Sequence, residues 1–264
     1  MFIDRYGPWA LIAGASEGTG AAFARRIAAE GIRPILVARR IEPLNDLATE
    51  IEREHGVESL TIATDLTAED ACDIIVQAVG SREVGLFVAN AGADLNGQEF
   101  LDADMPAWLD LVALNVATPL KLCHHFGRHM RERGHGGIIL LGTGVSYGGM
   151  KSLAVYSGAK SFLLSFGESL WSELKPYGVD VLNLMLGRTD TPAFRRALAE
   201  KGLPLPTGLA APQDVAETAL KRLALGPVHN WGATDDLPGF APTSPDERRA
   251  RIARLEEAGK AVMK

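Results

Sequence analysis

Tyr156 and Lys160 are the two side chains whose types and spacing best suit proton chemistry. They belong to the segment Tyr-Ser-Gly-Ala-Lys, which opens an apolar stretch that continues to Leu174. Residues four apart lie on the same face of a helix, so the phenol and the ammonium would be neighbours. A cation this close lowers the pKa of a tyrosine, ordinarily about 10, by roughly 1 to 3 units. The pair could therefore supply a hydroxyl that exchanges protons near neutral pH, although an ordinary exposed pair has the same spacing.

A glycine-rich turn near the N-terminus suggests a nucleotide. Gly14, Gly18 and Gly20, with Ser16 between the first two, follow the apolar segment Trp9–Ala13 and precede a segment with helical spacing. At the carboxyl edge of a doubly wound sheet, such a turn offers the unpaired N–H groups of a helix N-terminus to a pyrophosphate. The pattern predicts a dinucleotide-binding turn, with a plain strand-to-helix turn as the alternative.

Short apolar strands alternate with helical segments along the rest of the chain. Strands are predicted at 34–38, 59–63, 86–89, 138–141 and 179–184, and helices at 41–55, 68–79, 106–133 and from 156 onward. This alternation is typical of a parallel sheet with helices on both faces. Because neither a linker nor a repeat divides the chain, we predict one α/β domain over residues 1–264, a Rossmann-type doubly wound parallel sheet.

The C-terminal part is less regular in its pattern. Prolines interrupt the apolar segment 203–206, which cannot be helical throughout. A helix is predicted at 212–225, a short strand at 228–231 and a charged helix at 246–264. The segment 192–210 is expected to act as a lid over a substrate.

Composition excludes several classes of function. The chain has 264 residues, is 47% hydrophobic and carries a formal net charge of -6, without long basic runs, which argues against nucleic-acid binding. No apolar run reaches the roughly 18 residues that span a bilayer, and the first residues lack a signal-peptide pattern. Cys72 and Cys123 have no metal-ligand spacing and read as buried, reduced thiols. We expect a cytoplasmic protein with no metal, no nucleic acid and no membrane association.

Three motifs in this order resemble the short-chain dehydrogenase/reductase family. They are the GxxxGxG turn at 14–20, Asn90-Ala91-Gly92 after the fourth strand, and the YxxxK of Tyr156 and Lys160. The resemblance covers roughly residues 9–225. It implies that the three glycines line the cofactor pyrophosphate with Ser16 nearby, and that the Asn-Ala-Gly segment supports the cofactor at the sheet edge. Asp65-Leu66 resembles the pair that contacts the adenine, although Asp65 could instead be only a helix N-cap.

The same resemblance implies a catalytic set. Tyr156 would be the acid and base, while Lys160 would lower its pKa and bind the nicotinamide ribose. The family's serine, which donates a hydrogen bond to the substrate carbonyl, is replaced by Thr143, and Ser146 on the adjoining loop is a rival donor. Thr keeps the hydroxyl but is stiffer at χ1. Asn115, forty-one residues before Tyr156, would kink its helix so that a backbone carbonyl holds a water that relays protons to solvent.

The loop after the sixth strand departs from the family pattern. It reads Leu-Gly-Arg-Thr-Asp-Thr, with Gly187 and Thr191 kept and the usual proline lost. By resemblance, Thr191 would bind the nicotinamide carboxamide and set which hydride face is presented.

The end of the second strand predicts which nicotinamide cofactor is used. An acidic side chain here usually holds the ribose 2′-OH of NAD, whereas the 2′-phosphate of NADP requires cations. The chain has Ala38, Arg39 and Arg40 instead of a carboxylate. Arg39, with Arg40 as a second cation, therefore predicts NADP(H).

These expectations combine into an NADPH-dependent reduction of a ketone or aldehyde to an alcohol. Apolar segments at 144–155 and 194–209 predict a small apolar carbonyl substrate. Resemblance also implies a homodimer or homotetramer that pairs the Tyr156 and Asn115 helices across a two-fold axis. A 3-oxoacyl thioester reductase and a catalytically inactive NADP(H)-binding regulator remain as alternatives.

Overall fold

The computed structural model describes residues 1–92, 97–147, 149–231, 246–247 and 249–250. Seven parallel strands form a single sheet in the order β3-β2-β1-β4-β5-β6-β7. The strands are β1 (Trp9–Ala13), β2 (Arg33–Ala38), β3 (Leu60–Ala63), β4 (Val84–Ala89), β5 (Gly136–Thr143), β6 (Val179–Leu186) and β7 (Val228–Asn230). The predicted single-domain, Rossmann-type α/β fold is confirmed.

Strand order reverses beside β1, which pairs with β2 on one side and with β4 on the other. The chain winds outward to β3 on one flank and to β7 on the other. In open parallel sheets, ligands bind outside the carboxyl ends of the strands at such a reversal point. The predicted glycine-rich turn follows β1 and therefore lies at this position.

The helices in the described residues are nine in number. They are α1 (Phe2–Tyr6), α2 (Gly18–Ala28), α3 (Ile41–His55), α4 (Ala71–Val79), α5 (Met105–Val112), α6 (Thr118–Arg133), α7 (Ala154–Leu174), α8 (Pro192–Glu200) and α9 (Pro212–Arg222). Alternate residues of β1 enter two cores: Ile12 packs with side chains of α2, α3 and α9, and Leu11 with side chains of α4, α6 and α7. Burial on both faces explains why the strands read as continuous apolar runs.

The single helix predicted at 106–133 is divided. A π-helical turn, Ala113–Ala117, separates α5 from α6 and contains Asn115. The Asn115 amide donates to the carbonyl oxygen of Leu111 at 2.9 Å and so competes with the regular backbone ladder. Such π-turns frequently mark functional sites.

Two helices were missed in the sequence. The short α1 is tied to the sheet because the Tyr6 hydroxyl donates to Asp180 at 2.6 Å. In α8, the Thr191 hydroxyl oxygen accepts from the Phe194 N–H at 3.2 Å, and Pro192 occupies the first turn. A hydroxyl that caps the first turn and a proline within that turn are both typical of a helix N-terminus. The prolines of 203–206 follow the end of α8, in a segment that is irregular as predicted. Of the helix predicted at 246–264, all but four residues lie outside the described residues.

Other expectations about the chain have mixed outcomes. Cys72 and Cys123 are buried free thiols, as predicted. No helix among the described residues is long and apolar enough to cross a membrane. The side chains Leu163, Leu164, Phe166, Leu170 and Leu174 were expected to leave spare apolar surface on α7. Instead, three of them are buried, and Phe166 and Leu170 pack against the chain's own core.

Candidate active site

The carboxyl ends of β1, β4, β5 and β6 surround a cavity of about 290 Å³. Parallel strands all end at the same edge of the sheet, so segments far apart in sequence meet here. The cavity is lined by most of the predicted site residues: Gly14, Gly18, Asn90, Ala91, Gly92, Thr143, Tyr156, Lys160, Gly187 and Thr191.

Tyr156 and Lys160 lie in the first two turns of α7 and face the same cavity. The Lys160 ammonium is 5.7 Å from the centre of the Tyr156 ring. The Tyr156 hydroxyl lies 3.5 Å from the Gly92 carbonyl oxygen, at the outer limit of a hydrogen bond. Tyr156 also lines the cavity, so its hydroxyl can donate to a ligand bound there.

Lys160 is almost wholly inaccessible to solvent, with 3% of its surface exposed. Its ammonium donates to the Leu141 carbonyl oxygen at 2.8 Å. Burial lowers the pKa of Lys160 to about 8, because desolvation disfavours the charged form. Below that pH the ammonium places a positive charge beside Tyr156, in a medium that screens it weakly.

Asn115 is 1% exposed, and it lies close to Lys160 and to Gly92. Its Oδ1 atom is buried and has no hydrogen-bond partner among the described residues. A Cβ atom added to Gly92, which has φ +138°, would overlap this oxygen and would lie 3.1 Å from the Lys160 ammonium. A buried acceptor without a partner usually binds water or a ligand group. The predicted proton path through Asn115 therefore has an acceptor beside Lys160.

The two candidates for the second hydrogen-bond donor differ in position. Thr143 ends β5 and lines the cavity together with Tyr156. Ser146 is 8% exposed, and its Oγ atom is buried with no hydrogen-bond partner among the residues that the structure describes. Its backbone carbonyl accepts from Ser161 at 2.8 Å, which holds this turn against α7. This geometry favours Thr143 as the donor that a substrate would meet.

The glycine-rich turn wraps closely around the end of β4. Gly14 has φ +80°, in the left-handed region that favours glycine. The Asn90 amide donates to the Gly14 carbonyl oxygen at 2.9 Å. A Cβ atom on Gly20 would overlap the Gly14 carbonyl oxygen. Only glycine at this position lets the first turn of α2 pack against residue 14. The arrangement leaves the backbone of the turn open toward the cavity.

A second cavity, of about 360 Å³, continues from the first along the ends of β2 and β3. It is lined by five further predicted residues, Ser16, Arg39, Arg40, Asp65 and Leu66, whereas Asn115 and Gly20 are not among the described residues that line either cavity. Asp65 accepts hydrogen bonds from Thr67, whose backbone N–H lies at 3.0 Å, and these bonds lower the pKa of Asp65. The helix that follows is capped at Asp70, so Asp65 is not its N-cap.

Thr191 lies over the glycine-rich turn. A Cβ atom on Gly18, which has φ +56°, would lie 3.0 Å from the Thr191 methyl group. The Thr191 oxygen caps α8, which leaves its O–H free to donate. Gly187 is exposed beside it on the cavity wall.

Sequence reasoning missed Glu17 and Arg196. Glu17 lies within the glycine-rich turn, and its carboxylate accepts from the Arg196 guanidinium of α8 at 3.1 Å and from Arg40 at 3.4 Å. The hydrogen bond with Arg196 is the main reason why the pKa of Glu17 lies below its ordinary value. Glu17 could have been suspected from its place in the turn. Nothing in the sequence links it to Arg196, 179 residues away.

None of the apolar side chains expected around the substrate is among the described residues that line the two cavities. Met150, Leu203 and Leu205 are exposed, whereas Leu153 and Leu198 are half-buried. Tyr147, expected in the same wall, packs instead toward β7, and its hydroxyl donates to Asn230 at 2.9 Å.

The two segments that carry these side chains approach residues 97–99. The Lys151 ammonium pairs with Glu99 at 2.7 Å, and the Lys201 ammonium would lie 3.3 Å from a Cβ atom on Gly97. The segments 149–153 and 192–205 therefore each lie close to the segment 97–99.

The residues present fit a nicotinamide dinucleotide. The turn offers close backbone approach, Arg39 and Arg40 line the second cavity, and the buried Asn115 Oδ1, which has no hydrogen-bond partner within the described ranges, lies beside Lys160. The described residues contain no group of three side chains that could hold a metal ion, and His124, His125, His129 and His135 lie at or near the surface.

Known proteins are similar to this chain in sequence and in fold. A family model for the short chain dehydrogenases matches residues 8–202. The 7beta-hydroxysteroid dehydrogenase of Clostridium sardiniense is 30% identical over 225 residues, which are 84% of this chain and 84% of that protein. A solved 7beta-hydroxysteroid dehydrogenase superposes with a TM-score of 0.80 at 27% identity, covering 96% and 99% of the two chains. A metagenomic short-chain oxidoreductase in complex with NADP superposes with a TM-score of 0.69 at 26% identity, covering 84% and 93%.

The matched residues include the glycine-rich turn, Asn90, Asn115, Tyr156 and Lys160. The family's members are oxidoreductases that use nicotinamide cofactors. On the strength of the fold, the site and the matched sequence, the chain belongs to the short-chain dehydrogenase family.

Proposed function

We propose that the protein reduces a bulky, largely apolar ketone to an alcohol, with NADPH as the hydride donor. One observation carries the proposal: Tyr156 faces a cavity shared with the glycine-rich turn, while the buried Lys160 ammonium lies 5.7 Å from its ring. A proton donor, a cation that stabilises its anion and a nucleotide-binding turn are thereby joined in one space.

Each residue has a distinct role in the proposed reaction. When bound, the cofactor supplies a hydride to the carbonyl carbon, and the protein positions the reactants and stabilises charge. Tyr156 would donate its proton to the carbonyl oxygen, so that the π bond of the C=O group is replaced by a C–H and an O–H bond while the C–O single bond remains. Thr143 donates a hydrogen bond to the same oxygen and holds it within reach of Tyr156.

The proton lost by Tyr156 must be replaced from solvent. The Lys160 ammonium stabilises the phenolate, and it can also bind hydroxyl groups of the nicotinamide ribose. Asn115, whose buried Oδ1 has no hydrogen-bond partner in the part of the chain that the structure describes, would hold the water that leads protons toward Lys160. Thr191 would donate to the nicotinamide carboxamide and so fix the hydride face.

Support for NADP(H) over NAD(H) comes from the second cavity. Its wall contains Arg39 and Arg40, and no carboxylate ends β2, where NAD-binding proteins usually hold the ribose hydroxyls. Two guanidinium groups attract a phosphate and match its oxygens in pairs. The similarity to an oxidoreductase solved with NADP agrees with this choice.

Support for a bulky substrate comes from the open site and from the relatives. Exposed Met150, Leu203 and Leu205 belong to the segments 149–153 and 192–205, which both approach residues 97–99, and they would bury apolar surface against a large ligand. The hydroxysteroid dehydrogenase to which the chain is similar acts on a substrate of this class. We further propose that residues 192–210 close over the substrate as a lid.

We also propose that the protein forms a homodimer or a homotetramer. Leu120 of α6 and Phe162 of α7 are exposed, at 41% each, on the two helices that would pair across a two-fold axis. Apolar side chains of this size are commonly buried in subunit interfaces. Light scattering of the purified protein would measure its mass directly.

The test of function is NADPH oxidation against a panel of steroid ketones, simple alicyclic ketones, aldehydes and 3-oxoacyl thioesters. We expect turnover with the ketones, most efficiently with the bulky ones, and a strong preference for NADPH over NADH. Arg39→Ala should weaken that preference at least tenfold, because a cation for the 2′-phosphate is lost. Highest efficiency with the thioesters would favour an acyl reductase, and tight NADPH binding without turnover would favour a regulator.

A further inference from the structure

Arg196 lines the same cavity as Arg39 and Arg40, although it belongs to a different part of the fold. Arg39 and Arg40 follow β2, at the outer side of the nucleotide crevice, whereas Arg196 projects from α8, beyond β6. The Arg196 side chain is 56% exposed and that of Arg40 is 57% exposed, so both guanidinium groups are accessible to a ligand.

Glu17 currently holds the two guanidinium groups together. Its Oε2 atom accepts from Arg196 at 3.1 Å and from Arg40 at 3.4 Å, and Arg196 also donates to Oε1. The Glu17 side chain is 26% exposed and lies in the pyrophosphate-binding turn. The Glu17 carboxylate thus pairs with two cations, Arg40 after β2 and Arg196 on α8, which lie on opposite sides of the nucleotide crevice.

Resting on the proposed function, we propose that Arg196 is a further ligand of the 2′-phosphate of NADP(H), presented by the helix α8. A phosphate carries up to two negative charges and three acceptor oxygens, whereas Glu17 carries one charge and two oxygens. The phosphate is therefore the stronger partner for two guanidinium groups. Glu17 holds Arg40 and Arg196 in place before the nucleotide binds. When NADP(H) binds, both guanidinium groups exchange the Glu17 carboxylate for the 2′-phosphate.

Binding of the 2′-phosphate by Arg196 would couple recognition of NADP(H) to closure of the proposed lid, residues 192–210. α8 begins at Pro192, directly after Thr191, which lies over the glycine-rich turn. A phosphate that engages Arg196 would hold this helix over the nucleotide. NADPH would then order the lid more strongly than NADH, which lacks the 2′-phosphate.

The competing interpretation is a latch in which the Glu17–Arg196 ion pair only fastens α8 to the turn. The two interpretations predict opposite effects for Glu17. If Arg196 binds the phosphate, Glu17→Gln removes a competing and repelling carboxylate and strengthens phosphate binding. If the pair is only a latch, Glu17→Gln and Arg196→Gln break the same contact and have effects of the same sign.

Calorimetric titration with adenosine 2′,5′-bisphosphate and with adenosine 5′-monophosphate separates these outcomes without any catalytic step. We expect Arg196→Gln to lower the affinity for the bisphosphate about tenfold and to leave the monophosphate within about twofold. Glu17→Gln should raise affinity for the bisphosphate. Arg195→Gln is the matched control, because it removes the same charge from the neighbouring position, where Arg195 is paired with Asp190. Its ratio of the two affinities should equal that of the wild type.

Three results would overturn the assignment of Arg196. They are an unchanged ratio in Arg196→Gln, an equal loss in Arg195→Gln, and a loss of bisphosphate affinity in Glu17→Gln. A wild-type protein that binds both nucleotides equally would instead refute the preference for NADP(H) itself, so the two failures are distinguishable.

Discussion

The Lys160 ammonium donates a 2.8 Å hydrogen bond to the backbone carbonyl oxygen of Leu141, near the end of β5. Leu141 is two residues before Thr143, so a single strand end fixes both the cation and the proposed carbonyl ligand. Sites built on strand ends hold their geometry better than sites on loops. This contact links α7, which carries the proposed proton donor, to the strand that carries Thr143.

The buried Lys160 charge should reduce stability in a pH-dependent way. Its pKa falls from 10.5 to about 8 on folding, so the folded state disfavours the charged form by about 3 kcal/mol below pH 8. Between pH 8 and 10.5 the folded protein loses this proton while the unfolded chain keeps it, so the penalty disappears.

Denaturant unfolding of wild type and Lys160→Met from pH 7 to 10.5 measures this effect. We expect Lys160→Met to be the more stable protein at pH 7, with the difference narrowing as the pH rises. A difference that stays constant over this range would contradict the lowered pKa of Lys160.

Much of the fold followed from the sequence because its signals are local. Apolar strands, helical spacing and the glycine-rich turn located β1 to β6 to within a few residues, and the order of motifs brought Tyr156 and Gly14 to one edge. The ion pairs of Glu17 were not predictable, because their partners come from separate elements and no periodicity joins them. The π-turn at Asn115 was expected only as a kink, since its cause is one side-chain amide.

Gly92 should tolerate no side chain. Its φ of +138° is strained for other residues, and an added Cβ atom would overlap Asn115 Oδ1. We expect Gly92→Ala to lower the free energy of unfolding by about 1–3 kcal/mol and to impair turnover.

Gly158→Ala on α7 is the matched control, because a Cβ atom there meets nothing within 4 Å among the described residues. It should raise stability by about 0.5–1 kcal/mol, since alanine favours helix over glycine. Thermal unfolding of the two variants gives the comparison. Equal effects in both would mean that the space around Gly92 is not restricted.

The side chain that donates the second hydrogen bond to the substrate carbonyl can be identified by removing single hydroxyl groups. Thr143→Ala should lower kcat by about 10²–10³, the usual loss for one donor to a developing oxyanion. Thr143→Ser keeps the hydroxyl and should stay within a few-fold of wild type. Ser146→Ala should also stay close to wild type, because Ser146 is buried in the turn behind the site. A large loss in Ser146→Ala, with Thr143→Ala active, would exchange the two roles.

The central claim is that Tyr156 protonates a carbonyl during NADPH-dependent reduction. The most direct test is NADPH oxidation by wild type and Tyr156→Phe with the best ketone of the panel, together with the NADPH dissociation constant of each. We predict that the variant loses at least about 10²–10⁴ in turnover, the range for a positioned general acid, while its NADPH affinity stays within a few-fold. Turnover within a few-fold of wild type would contradict the assignment of Tyr156.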